Sequence, residues 1–151
     1  MFEQEKIIVR ETGNRIIATY DDQNHYALST LYSMNLLDQK FSLKYLLALL
    51  NSNVFHFLMT LIAFEKTKGA FTKTRIFHYY KLPVRKTENQ KTFIKLVDKI
   101  LETKKENPKA DTTKWERQID LMVYHLYNLT YAEAKIIDAE LSEEEWEKFK
   151  S

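Results

Sequence analysis

Between Glu65 and Lys86 the chain sets seven cations, Lys66, Lys68, Lys73, Arg75, Lys81, Arg85 and Lys86, against the single acid Glu65. Ammonium and guanidinium groups at this density can neutralise phosphates and release their counterions. Thr67, Thr72 and Thr74 add hydroxyls suited to phosphates or base edges. Reading a base sequence takes a fork, such as Arg75, Arg10 or Arg15 against guanine, or an amide, such as Asn14, Gln23 or Asn24 against adenine. The candidate contact set is therefore Lys66, Lys68, Thr72, Lys73, Thr74 and Arg75 in one loop, with Arg10, Asn14 and Arg15 from the N-terminal part of the chain. The bland reading of the same window is a solvated surface loop. Tyr79 and Tyr80 read as strand-core residues and stay outside the set.

The overall charge of +2 hides an asymmetry. Residues 1–86 carry 12 Lys+Arg against 7 Asp+Glu, a net of +5, whereas residues 87–151 carry 11 against 14, a net of −3. The first part is the one suited to a polyanion. With no cysteine there is neither a disulfide scaffold nor a thiolate metal site, and a cytoplasmic setting is the expectation. The start, MFEQEKIIVR, has no basic region followed by an apolar one, so no secretory leader is expected. The most apolar run, Leu46 to Phe64, contains Asn51, Ser52, Asn53, His56 and Thr60, which would be costly in lipid. A buried helix pair is expected there, and no membrane partner.

Other chemistry finds little support. His25, His56, His78 and His125 are far apart, without a partner at helical ligand spacing, so no metal site is expected. Asp98, Glu102 and Lys104 imitate a nuclease D-x-x-x-E-x-K pattern, but they fall within an amphipathic helical pattern and read as its solvated face. Gly13 and Gly69 are the only glycines, and neither opens a phosphate-cradling loop. No catalytic residue is assigned.

The elements that must position the cations are legible from periodicity. Ile7 to Val9 and Ile16 to Ala18 flank the turn signal Glu11-Thr12-Gly13-Asn14 and predict a hairpin. The alternation over His25 to Met34 predicts a further strand, and Arg75 to Tyr80, rich in aromatics and ending before Pro83, predicts another. Leu43, Leu47, Leu50, Val54, Phe57 and Leu61 follow a helical face, broken at Asn51-Ser52-Asn53 into two helices with Ser52 or Asn51 capping the second. Thr87…Gln90, Thr113…Glu116, Thr130…Glu133 and Ser142…Glu145 match the spacing in which a hydroxyl and a carboxyl or amide side chain cap a helix reciprocally, and predict four helices. The expected fold is α+β: a small mixed or antiparallel sheet and a helical hairpin within residues 1–86, then a helical extension over residues 87–151 packed on it.

Two segments carry a resemblance. LKYLLALLNS, followed by the basic loop and IFHYYKLPV, resembles the TaqI-like C-terminal specificity domain of restriction-modification DNA methyltransferases. ERQIDLMVYHLYNLTYAEAKIID is similar to the IDxxVYxLYxLTxxExxII segment that follows this domain in such enzymes. The resemblance implies target recognition on double-stranded DNA for an adenine methyltransferase. The family's glycine-rich S-adenosylmethionine loop and NPPY-type motif do not occur in this chain, so cofactor and catalysis are expected on a separate catalytic domain or subunit. A type I specificity subunit resembles this pattern too, with the Phe93 to Leu101 helix as spacer. The reading from a different class is a docking module, in which the acidic half binds another subunit through Trp115 and Tyr124. Incubated with labelled S-adenosylmethionine and unmethylated DNA, the purified chain should transfer no methyl group above background.

Overall fold

The computed structural model describes residues 5–10, 16–22, 31–34, 40–62 and 76–150. Strands β1 (Lys6–Arg10), β2 (Ala18–Asp21) and β3 (Leu31–Met34) form an antiparallel sheet in the order β2-β1-β3. The predicted hairpin is present, with Val9 opposite Ala18 and Arg10 N donating to Ile17 O at 3.0 Å. Period-two geometry sends Ile7 and Val9 into the core, both fully buried, while the adjacent Ile8 is only half-buried. At the far end of the ladder Lys6 faces Asp21 at 3.6 Å, both almost completely buried, so each charge is offset where water cannot reach it. The third predicted strand is present at Leu31–Met34, and its earlier part, residues 25–30, lies outside the described residues.

The predicted helical hairpin is α1 (Leu43–Leu50) and α2 (Asn53–Ile62), bent by 66° at the polar break. Ser42 starts α1 by accepting from Lys44 N at 3.2 Å, and Ser52 Oγ accepts from Phe55 N at 3.3 Å in the first turn of α2. Among the described residues no single helix is long and apolar enough to cross a membrane. The apolar faces of this pair are instead buried through Tyr45, Leu47, Leu49, Phe55 and Met59.

One strand expectation is overturned. Ile76–Tyr79 forms a short helix, α3, and turns through Lys81 N to His78 O and Leu82 N to Tyr79 O, both 3.2 Å. Aromatic and β-branched residues favour strands only where they can pack on a pleated surface. Here Tyr79 and Leu82, three positions apart, are buried while Tyr80 is 83% exposed, a helical rather than an alternating pattern. Arg75 lies outside the described residues.

The remaining helices are α4 (Gln90–Glu106), α5 (Thr113–Leu126), α6 (Tyr131–Ile137) and α7 (Glu143–Glu147). Thr130 and Glu133 form the expected reciprocal cap, and Ser142 Oγ accepts from Glu145 N at 3.1 Å. The other two caps differ from expectation: α4 begins after Asn89 and α5 after Thr112, neither with a side-chain cap bond. Competing local bonds take those hydroxyls, since Thr87 accepts from Asn89 N and Thr113 donates to Asp111. Gln90 has a different task, accepting from Ser42 N at 2.9 Å and donating to Lys40 O at 2.9 Å, which ties α4 to the start of α1.

A continuous core runs from Ile7 and Val9 through α1 and α2 to Phe93, Val97, Ile119, Val123, Tyr124 and Leu141. Tyr45 meets Phe93 edge to face at 5.2 Å, linking α1 to α4. Phe55→Ala should cost about 3–5 kcal/mol. Followed in urea by both fluorescence and circular dichroism, it should shift one coincident transition, because the core has no internal boundary; two separated transitions would contradict this.

Candidate nucleic-acid interface

Of the residues selected for DNA contact, the structure describes Arg10. It is the exposed last residue of β1, opposite Leu31 in the sheet register. Lys66, Lys68, Thr72, Lys73, Thr74 and Arg75 lie outside the described residues, as do Asn14 and Arg15. Their described neighbours are firmly held. Residues 63–75 run between Ile62, which ends α2, and Ile76, which begins α3, and residues 11–15 run between the bonded pair Arg10 and Ile17. Leu31 opposite Arg10 brings the chain back into the sheet at this same hairpin end.

What holds α2 in place is the polar break itself. Asn51 uses its amide as a surrogate strand residue: Oδ1 accepts from Ala18 N and Nδ2 donates to Ala18 O, both at 3.0 Å. Ser52 donates to Leu49 O at 2.6 Å. Asn53 turns toward α5, its backbone N–H donating to Asp120 Oδ1 at 2.8 Å and its amide to the Tyr124 hydroxyl at 3.3 Å. That hydroxyl donates onward to Asp138 Oδ2 at 3.2 Å. Asp138 also accepts from Arg117, whose other nitrogens form a two-pronged pair with Glu145 at 2.8 Å each. Burial holds the fully enclosed Tyr124 phenol well above its ordinary ionisation, so it stays a neutral donor.

A second set of tyrosine bonds fixes the chain leaving the basic loop. Tyr45 donates to Arg85 O at 2.5 Å, and Tyr127 donates to Pro83 O at 2.5 Å while accepting from Arg85 N at 3.1 Å. Burial pushes the pKa of both phenols up, so both stay neutral donors. Tyr127 is positioned by the end of α5, where Asn128 takes φ 56° and the chain closes with Asn128 N to His125 O and Leu129 N to Tyr124 O, both 3.0 Å. Asparagine tolerates this left-handed geometry better than most residues. With the Asn128 amide oriented so that its oxygen faces Arg85, it accepts from the guanidinium at 2.9 and 3.2 Å. Backbone 83–85 is thus clamped, yet Pro83, Val84, Arg85 and Lys86 all remain exposed, with Lys81 and Tyr80 just before them.

Sequence reasoning counted Lys81, Arg85 and Lys86 in the basic window but left them out of the contact set, and it placed Tyr80 in a strand core. The structure puts Tyr79 inside and Tyr80 outside. The acidic half keeps its aromatic anchors for itself, with Tyr124 fully buried and Trp115 packed against the core. Asp98 lies on helix α4 as expected and pairs with Lys44 at 2.5 Å. His125 bonds to Trp146 O at 2.7 Å, a packing role. A groove of about 590 Å³ between β2, α1, α4 and α5 has mainly aliphatic walls, including Ile17, Leu47, Val97, Ile100 and Ile119.

The family model of the TaqI-like C-terminal specificity domain matches residues 1–84 of the 151. No curated protein matches the chain. Beyond residue 84, Asp120, Tyr124 and Tyr127 are bonded to Asn53, Pro83 and Arg85 at the matched segment or its border.

Arg117 holds the Glu145 carboxyl below the ordinary glutamate range by donating to it. The folded state therefore takes up this proton less readily than the unfolded chain. The resulting stability is present above the unfolded value and is lost as pH falls through the lower folded one. Between about pH 6 and about pH 3 the Glu145→Gln protein should lose less stability than the wild type, measured by urea midpoints across the range.

Proposed function

The chain belongs to the TaqI-like C-terminal specificity domain family, and from that membership we propose that it is the DNA target-recognition part of a restriction-modification adenine methyltransferase. Its partners in this reading are double-stranded DNA and a catalytic domain or subunit that binds S-adenosylmethionine and performs the transfer in the cytoplasm. The observation that carries the proposal is the run of seven cations against one acid over Glu65 to Lys86, which follows helix α2 in the chain and ends in the segment held by the tyrosine clamp. Phosphate contacts from Lys66, Lys68 and Lys73 supply affinity without sequence choice. Arg75, Arg10, Arg15 and Asn14 carry the guanidinium and amide groups that suit base edges, and Thr72 and Thr74 the hydroxyls that support either contact.

Binding of a cognate and a scrambled duplex at two salt concentrations tests this reading. The Lys68→Ala/Lys73→Ala protein should bind both duplexes more weakly, with the slope of log K against log salt shallower by roughly 1.8. Arg75→Ala, placed in the assembled enzyme, should cost on the order of 1–3 kcal/mol at one base position only. Unchanged affinity and slope in the double lysine variant would remove this loop from the DNA interface.

A further inference from the structure

The segment from Tyr80 to Lys86 combines two properties that ordinary loops do not share. Its backbone is fixed by three hydrogen bonds from the Tyr45 and Tyr127 hydroxyl groups and the Arg85 amide, yet its side chains are largely turned outward. Tyr80 is 83% exposed, and Lys81, Arg85 and Lys86 are exposed beside it, with no acid between Ile76 and Thr87. Arg85 and Lys86 form no ion pair among the described residues. The Arg85 guanidinium is steadied by a neutral amide, Asn128, which orients the group and leaves its charge intact. A guanidinium has five N–H donors, so the two directed at Asn128 leave others for an outside acceptor.

We infer that Tyr80, Lys81, Arg85 and Lys86 form a prepositioned ridge that grips the DNA sugar-phosphate backbone beside the bases read by the loop, an inference that rests on the DNA-recognition reading above. A cationic strip with its backbone already ordered loses little freedom on binding, which favours affinity. The partner chemistry follows from the side chains. Arg85 and Lys86, which form no ion pair among the described residues, suit phosphate oxygens, Lys81 adds an exposed cation beside them, and the exposed Tyr80 offers a hydroxyl to a phosphate and a ring face to a sugar. These contacts carry no base information, so the ridge adds affinity and register while the loop supplies choice. The ridge is separate from the loop because its anchors lie on α1 and at the residue that follows α5.

The test is fluorescence anisotropy of a labelled cognate duplex and a scrambled one with the full chain, from about 50 to about 200 mM salt. Lys81→Ala/Lys86→Ala removes two exposed cations and leaves the clamp untouched, and Tyr80→Ala removes an exposed ring. The lysine pair should weaken both duplexes equally and flatten the salt dependence, so that the wild type loses about 12-fold more affinity than the variant across that range. Tyr80→Ala should weaken both duplexes equally with the slope nearly kept. Arg85→Lys should retain most of the salt slope, whereas Arg85→Ala should reduce it. If the Lys68→Ala/Lys73→Ala protein shows the expected loss while the Lys81→Ala/Lys86→Ala protein keeps wild-type affinity and slope, DNA recognition stands and the ridge is overturned; that outcome turns the ridge toward a protein surface. Failure of the wild-type chain to bind either duplex overturns the recognition reading and the ridge together.

Discussion

Asn51, Ser52 and Asn53 interrupt the most apolar stretch of the chain with three consecutive polar side chains, and the arrangement of everything around them follows from the need to pair those groups. Ser52 is buried, where an unpaired donor or acceptor costs about 1–3 kcal/mol, whereas Asn51 is exposed and Asn53 half-buried, so their bonds act mainly by fixing direction. Each is answered by a different part of the molecule: Asn51 by the edge of β2, Ser52 by its own helical turns, and Asn53 by α5. The break therefore orients the sheet, the helical hairpin and the C-terminal helices relative to one another. Apolar packing supplies most of the energy and is non-directional. These three residues supply the direction.

The charge asymmetry acquires a physical meaning from the same contacts. Several acids of residues 87–151 are engaged within the fold: Asp120 holds the start of α2, Asp138 joins Tyr124 to Arg117, Glu145 pairs with Arg117, and Glu133 caps α6. Cations of the earlier half point outward at Arg10, Lys81, Arg85 and Lys86. Exposed surface pairs contribute little, whereas pairs and caps that also order a helix end contribute more. The acidic half thus uses negative charge as internal fastening, and the segment after residue 80 presents positive charge to solvent.

Where local chemistry dominates, the sequence was a reliable guide. The pairing of β1 with β2, the Ser52 bond that starts α2, the Thr130 cap and the Ser142 cap all join near neighbours in the chain, and all four were legible. The segment Ile76–Tyr79 was not. Its composition favours a strand, but the pairing needed to make one is a tertiary property, and the observed burial of Tyr79 and Leu82 selects a helical turn instead. The caps at Thr87 and Thr113 failed for a related reason, because neighbouring groups competed for the same hydroxyls. In the interface, the cationic window was plain from composition. The clamp was not, since hydroxyl-to-carbonyl bonds spanning 40 and 44 residues leave no local pattern.

The clamp and the hairpin register have a shared consequence for how such a chain can change over generations. Residues 11–15 and 63–75 are each bounded by positions whose backbone is already fixed, at Arg10 and Ile17 on one side and at Ile62 and Ile76 on the other. Doubling the length of a connection between fixed ends costs only about 0.6 kcal/mol in closure entropy, and the bonds from Asn51 to β2 and from Asn53 to α5 join residues outside those intervals. Insertions and substitutions can therefore accumulate in those intervals while the scaffold stays under selection for its own packing, so that diversification of what the chain touches is uncoupled from the requirement that it fold.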